Sequence, residues 1–296
     1  MVRKNLVIAI LATFCLIATL FSVVPTMNVI ATLTGYSPTP GQYNPWYDIT
    51  GDGKIDGRDI TALAKDFGKT GTALNTSAIY TGLDWGLLAN WRFNEGTGTV
   101  ATDSTGNGYD GALDGPTWTN GVYGRGLSFD GTDDYIFIPD IPVDEFGPPI
   151  FFSVAAWING PLTDNGETII SNARGAFSME LPDRPGSFGV VRFGVDIGGS
   201  YYFAEGTTSP NNWHQIVGTY DGAAGTVKLY IDGLLVNQTA TPSMQLLTNI
   251  PLPDLALIGS ATNFGDFFKG TMSNVMIYFK TLPPEQVMAL YLLPPP

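Results

Sequence analysis

Residues 213–221 read WHQIVGTYD and residues 226–232 read TVKLYID, with GAAG between them. In the second segment Val227, Leu229 and Ile231 fall on one face, and Lys228, Tyr230 and Asp232 on the other. A period of two residues predicts a strand with one face in a core and one face wet. Outward from this pair the pattern recurs in LANWRF (88–93), GLSFDG (126–131), YIFIP (135–139), FSVAAWI (152–158), ETIISN (167–172) and FSMEL (177–181). It continues in VVRFGV (190–195), SYYFAE (200–205), LALIGS (255–260) and TMSNVMIYFK (271–280), and turn residues separate nearly all of these runs. About a dozen strands with no helix between them predict a β-sandwich. Only LPPEQVMALY (282–291) breaks the pattern: Pro at its start, with Val287, Leu290 and Tyr291 following, predicts one short closing helix.

The composition agrees. Gly 36 and Pro 21 make about a fifth of the 296 residues, and with Tyr 13 and Phe 17 they favour short strands and turns over a helical bundle. With 27 acidic against 14 basic residues the net charge is −13, which excludes nucleic acid as a partner because phosphate neutralisation needs surplus Lys and Arg. The single Cys excludes an intramolecular disulfide and a Cys-based zinc site, leaving acidic oxygens as metal ligands and calcium as the expected ion.

Arg3 and Lys4 precede an uncharged apolar run from Leu6 to Val24, which as a helix spans roughly 28 Å. Residues 1–31 therefore read as a signal peptide or a transmembrane anchor. The early positive charges stay cytoplasmic and send the body outside, so a secreted or membrane-anchored cell-surface protein is expected. Residues 32–45 form a polar, Pro/Gly-rich spacer, and 71–84 a linker with little charge. Asn75 and Asn237 each open an Asn-X-Ser/Thr sequence, so both are candidate glycosylation sites of an extracytoplasmic glycoprotein.

Between the spacer and the linker, residues 48–59 read DITGDGKIDGRD. Asp48, Thr50, Asp52, Asp56 and Asp59 put oxygens at the first, third, fifth, ninth and twelfth positions of an EF-hand loop, Lys54 offers its backbone carbonyl at the seventh, and Gly53 allows the sharp turn at the sixth. Ile60, Leu63 and Phe67 then share one helical face, with Gly68 as the cap. Residues 46–70 resemble the calcium repeat of dockerins. Thr50 replaces the usual Asn or Asp, so the resemblance implies Ca2+ binding of modest affinity, and the lone repeat argues against a cohesin-type partner. Trp46 and Tyr47 are expected to cover Ile55 and the helix face.

From residue 85 to the C-terminus the order of WRFNEGTGTVATDSTGNGYDGAL, YGRGLSFDGTDDYIFIP, FSVAAWI, WHQIVGTYDG, VKLYIDGLLV, LIGS, FKGTMSNVMIY and TLPPEQVMALY resembles the laminin-G-like jelly rolls of the concanavalin A-like sandwiches. Ser273 and Asn274 stand where that family carries an acidic pair. The resemblance implies a non-catalytic recognition or cell-adhesion domain, often with structural calcium. Asp103 and Asp110, with Asn107, lie in one acidic turn, and Asp130, Asp133 and Asp134 in another, so either solvated Asx turns or a second calcium bridging them is expected. Asp140, Asp144 and Glu145 extend the second acidic stretch.

A retaining glycosidase needs two carboxylates about 5–5.5 Å apart, yet no strand offers closely spaced acids, and Glu167, Glu180 and Glu205 lie on separate segments. His214, the only His, reads as a structural residue beside Trp213. Of the aromatics, Tyr201 and Phe203 face one way and Tyr202 the other, and Trp91 and Trp157 lie on strands. Most read as core, while any exposed ring could stack on a sugar. The expectation is an extracytoplasmic, non-catalytic, calcium-binding surface protein whose jelly roll recognises carbohydrate or a surface protein. Its alternatives are an assembly subunit of a surface scaffold and a component of a polysaccharide-degrading enzyme.

Overall fold

The computed structural model describes Leu83, residues 85–139, Ile141, and residues 151–172, 177–242, 255–261 and 265–292. The expected N-terminal hydrophobic helix, spacer, dockerin-like module and linker, Leu83 excepted, lie outside the described residues. Among the described residues no helix is long and apolar enough to cross a membrane.

In chain order the strands are β1 (Leu87–Trp91), β2 (Val100–Ala101), β3 (Gly111–Asp114), β4 (Thr117–Asn120), β5 (Arg125–Asp130), β6 (Tyr135–Pro139), β7 (Phe151–Asn159) and β8 (Asn165–Asn172). They continue with β9 (Phe177–Asp183), β10 (Val190–Ile197), β11 (Ser200–Thr207), β12 (His214–Asp221), β13 (Thr226–Ile231), β14 (Leu234–Ala240), β15 (Leu255–Ile258) and β16 (Lys269–Tyr278), and helix α1 (Pro284–Leu292) closes the described chain. The first sheet runs β14-β13-β12-β7-β16-β5-β4, with β1 also paired to β16, and the second runs β11-β10-β9-β8-β15-β6-β3-β2. The crossings between sheets give the sandwich that the alternation predicts, in the jelly-roll form that the resemblance implies. β2, β3, β4 and β14 were not among the expected strands: the first three are short, and β14 is an edge strand exposed along nearly its whole length, so it carries no alternating pattern.

The core lies between the sheets. Phe152 of the first sheet meets Phe177 and Phe193 of the second at ring-centroid distances of 5.3 and 6.0 Å, and Tyr220 of its own sheet at 5.7 Å. All four rings are fully buried, each contributing about 1.5–3 kcal/mol of transfer free energy. Gly218 makes the close approach possible, because a Cβ there would sit 2.0 Å from Cγ of Phe193.

The outer faces of the two sheets differ. On the first, α1 packs Val287, Ala289 and Leu290 against Ala155, Val217, Tyr230, Met276 and Tyr278. The expectation of a wet face for Lys228, Tyr230 and Asp232 therefore fails at Tyr230, which is 1% exposed. Its cause lies about 60 residues downstream in α1, beyond any local pattern. Ser153, itself buried, holds the chain entering this helix: its Oγ donates to the Lys280 carbonyl (2.8 Å) and accepts from the Leu282 N–H (2.9 Å). Trp157 also belongs to this covered face, stacked on Tyr291 at 5.6 Å and met edge-on by Tyr123 at 5.7 Å.

Candidate functional site

Among the described residues no helix packs over the outer face of β9, β10 and β11, although Ser178 and Asp196 on it are only 8% and 6% exposed. Inward go Phe177, Met179, Leu181, Val191, Phe193, Val195 and, from β11, Tyr202. The alternation then sends Ser178 and Glu180, Arg192, Gly194 and Asp196, and Tyr201, Phe203 and Glu205 outward. The register places Glu180, Arg192 and Glu205 in one row across three strands. The Arg192 guanidinium donates through Nε to Glu180 Oε1 at 2.8 Å and is also bonded to it through Nη2, while Nη1 lies 3.7 Å from Glu205. Arg184 reaches Glu205 from the other side at 2.6 Å.

Next to this charged row lie two parallel rings. Tyr201 and Phe203 stack with centroids 5.6 Å apart and planes 9° apart, and the Arg192 guanidinium sits 4.0 Å from the Phe203 centroid. Phe203 lies flat because its cross-strand partner is Gly194, where a Cβ would come within 2.2 Å of the ring. Tyr201 is 50% exposed. Burial of the other half, then the carboxylates of Asp196 and Glu180, holds its hydroxyl pKa above the ordinary range. The hairpin presenting it turns through Gly198 and Gly199, both at positive φ as a two-residue primed turn requires, and Asp196 Oδ1 accepts the Gly199 N–H at 2.8 Å. Thr239 and Asn237 of β14 donate to the carbonyls of Phe203 (2.7 Å) and Glu205 (3.0 Å), which ties the back of this strand to the edge of the other sheet. The result is a rigid surface of two stacked rings and a fixed fork of donors and acceptors, the chemistry that holds a sugar ring.

In the sequence Tyr201, Phe203, Glu180 and Glu205 stand out individually. The Arg192 row that joins them depends on register, and its one local signal was the pair of arginines, Arg184 and Arg192, in a chain poor in basic residues. Trp91 is fully buried with Nε1 donating to the Tyr109 carbonyl at 2.7 Å, so Trp91, Trp157 and Tyr202 serve the packing.

The acidic turns divide. Asp103 is 4% exposed, and its carboxylate accepts from the N–H groups of Asn90 (3.0 Å), Thr105 (3.1 Å) and Tyr109 (3.3 Å) and from the Thr105 hydroxyl (2.8 Å). Asp110 accepts the Asp103 N–H at 2.7 Å, and Asn107 donates to the Leu88 carbonyl. This turn is a hydrogen-bonded clasp on β1. Among the described residues Asp130, Asp133 and Asp134 alone gather as possible metal ligands, with one oxygen from each within 4.8 Å of the others. Burial, with the charges of Asp130, Asp133 and Asp114, pushes the Asp134 carboxyl pKa up, and the Asp130 N–H bonded to it works against that rise. Beside this turn lies an open polar cleft of about 430 Å³, lined by Asp130, Thr132, Glu167, Asp266 and Lys269 among others. Glu167 is buried there, accepting from Thr163 and, at 3.0 Å, from the Lys269 N–H. Asp48, Thr50, Asp52, Lys54, Asp56, Asp59, Asn75, Asp140, Asp144 and Glu145 lie outside the described residues. Asn237 is exposed on β14.

Comparison with solved structures finds this sandwich in proteins of low sequence identity. Domain 4 of AbnA, an extracellular GH43 arabinanase from Geobacillus stearothermophilus solved with arabinotriose, shares 21% identity at a TM-score of 0.53, covering 69% of this chain and 98% of that one. The botulinum neurotoxin serotype D binding domain shares 16% identity and the binding domain of neurotoxin DC, solved with rat synaptotagmin II, 15%, each at a TM-score of 0.53 over 71% of this chain. The chain spans about half the length of those toxin domains, 52% in both cases. These matches show a shared fold with binding domains. No curated protein matches the chain. The Laminin_G_3 family model, described as concanavalin A-like lectin/glucanases superfamily, matches residues 130–288, more than half of the chain. The chain belongs to that superfamily.

Proposed function

We propose that this is an extracytoplasmic carbohydrate-recognition protein that binds a neutral glycan on the open face of β9–β11. The observation that carries the reading is the Tyr201–Phe203 stack, held flat over Gly194 and bordered by the Glu180–Arg192–Glu205 row. Aromatic faces pack against the apolar C–H faces of sugars, while fixed carboxylates and guanidinium nitrogens bond the hydroxyls. The surrounding acids and the net charge of −13 repel uronate and sialyl groups, so neutral sugars are favoured. The arabinotriose in the similar arabinanase domain supports a glycan partner, while synaptotagmin II in a similar toxin domain supports the second reading, a protein partner.

Calcium belongs to this proposal in two places. The Asp130, Asp133 and Asp134 turn offers three oxygens close enough for one Ca2+, whose remaining positions water fills. The EF-hand spacing of residues 48–59 supports a second site there, and the basic pair followed by the apolar run 6–24 supports an anchored or secreted protein outside the cell.

The test is calorimetric titration of the full chain with linear neutral oligosaccharides, arabinotriose among them, and with a uronic-acid oligosaccharide of equal length. Micromolar to millimolar binding of a neutral ligand that Phe203→Ala weakens at least about tenfold supports the reading. Preference for the uronate, or binding indifferent to Phe203→Ala, overturns it. Absence of binding to every glycan, with capture of a purified surface protein abolished by Arg192→Ala, favours the protein partner.

A further inference from the structure

Away from the open face, three side chains line up at the start of β12. His214 Nδ1 lies 2.7 Å from Asp232 Oδ2, and its Nε2 lies 2.8 Å from Ser209 Oγ. One backbone contact bears on the tautomer of the ring. The Ser209 N–H points at Nε2, at 3.3 Å, an arrangement that suits Nε2 as acceptor and Nδ1–H toward Asp232. Ser209 Oγ accepts from Asn212 Nδ2 at 3.2 Å, which leaves its own hydrogen available to the imidazole.

Each member is pinned by local structure. Asp232 and Gly233 form the two-residue turn between β13 and β14, at φ 52° and 79°, and Asp is among the residues that accept this conformation. The Asp232 N–H donates to the Gln215 carbonyl at 2.9 Å, and Asp232 Oδ1 accepts the Gln215 N–H at 2.9 Å. The carboxylate is thus locked to the residue after the histidine. Ser209 and Asn212 lie in the exposed connection from β11 to β12, anchored where the Asn211 N–H meets the Gly160 carbonyl at 2.6 Å.

We propose that Ser209, His214 and Asp232 form an acyl-transfer relay that hydrolyses small O-acyl esters, such as acetyl esters projecting from a larger molecule. Hydroxyl, neutral imidazole and carboxylate stand in the order and tautomer that serine nucleophilic catalysis requires. Ser209 Oγ attacks the ester carbonyl carbon while its proton passes to His214 Nε2. The C–O bond to the alcohol breaks, and the alcohol leaves with that proton. Water then attacks the acyl-serine, giving its proton to Nε2, which returns it to Ser209 as the acid departs. Asn212 Nδ2 holds the attacking oxygen in place, donating to Ser209 Oγ and to the Pro210 carbonyl, each at 3.2 Å. The exposed position of Ser209 suits a short acyl group carried on a large alcohol. Asp232 is a positioning residue that acts through His214. This inference does not depend on the glycan platform.

The experiment is hydrolysis of p-nitrophenyl acetate by the full chain, with a fluorophosphonate probe and mass spectrometry of the Ser209 peptide. The proposal expects one probe per chain on Ser209. It also expects a rate that falls about a hundredfold in Ser209→Ala and in His214→Ala, the scale of a lost nucleophile or base, with the thermal midpoint of Ser209→Ala unchanged. In Asp232→Asn, which keeps the turn conformation, kcat falls while KM stays unchanged, because the ring is no longer held with Nδ1–H toward a carboxylate. Hydrolysis that survives Ser209→Ala and disappears in His214→Ala shows an isolated imidazole at work and overturns the relay. So does a protein whose Ser209 stays unlabelled.

Discussion

The two outer faces of this sandwich start from the same sequence grammar and end differently. On β12, β13 and β7 the outward positions hold Val217, Tyr230 and Ala155, and α1 closes over them to make a second small core. On β9, β10 and β11 the outward positions hold Glu180, Arg192 and Phe203, and among the described residues no helix lies over them. Alternation alone separates inside from outside of a sheet. What decides whether the outside is a binding surface is the chemistry of the outward residues together with what later chain covers them. One face contributes to stability and the other presents chemistry, so substitutions on the two should separate stability from binding.

The largest effect is expected on the covered face. Leu290→Ala removes a side chain 2% exposed and should cost about 2–4 kcal/mol, read as a lower denaturant midpoint at unchanged slope. Ligand affinity at temperatures where the variant stays folded should not change. A loss below 1 kcal/mol would mean that α1 rests on the sheet without sealing it, and the contrast between the faces would collapse.

A substitution on the open face sharpens the comparison. Gly194→Ala places a methyl where Phe203 lies, and the ring must lift from the sheet. Stability should fall by about 1–2 kcal/mol, while affinity for the neutral glycan falls more than tenfold because the stack is lost. Equal affinity in this variant would show that the rings are not the sugar platform. Arg192→Met keeps the apolar stem over Phe203 but deletes the charges. With these side chains partly exposed, it should cost less than about 1 kcal/mol of stability, screened by salt, and still weaken binding severalfold.

The smallest effect concerns the acidic turn and carries a sign. The Asp134 carboxyl pKa is raised on folding, so its contribution favours the folded state below the ordinary Asp range and is lost as pH rises through the folded value. At neutral pH without metal the ionised turn therefore repels itself, and Asp133→Asn should raise stability by under about 1 kcal/mol, a gain that disappears in acid. With millimolar Ca2+ the sign should reverse, because the variant loses a ligand. A midpoint that calcium leaves unmoved in both proteins would remove this turn from the calcium proposal.

The sequence revealed the inward-facing set almost completely, because Val227, Leu229, Phe193 and their neighbours announce themselves by a local period. Two kinds of feature escaped it. Tyr230 looked wet because its cover, α1, is distant in sequence, and β14 went unseen because an exposed edge strand has no apolar face to alternate. The site was legible by residue type and illegible by arrangement. Tyr201, Phe203, Glu180 and Glu205 were visible singly, but the row through Arg192 and the glycine under Phe203 exist only once β9, β10 and β11 are in register. Similarly, Asp103 and Asp130 looked alike as acidic turn residues. Only packing showed that one carboxylate is consumed by four donors while the other joins a cluster. His214 reads as structural in the sequence because nothing around any Ser resembles a nucleophile elbow, and Ser209 and Asp232 meet it only in the fold.

Hydrogen exchange of the full chain with and without the neutral oligosaccharide tests the central claim most directly. The account predicts that ligand slows exchange in residues 177–183 and 190–207, the strands of the open face, and leaves residues 284–292 of α1 unchanged. Protection confined to α1 and the strands beneath it, with β9–β11 unaffected, would contradict it.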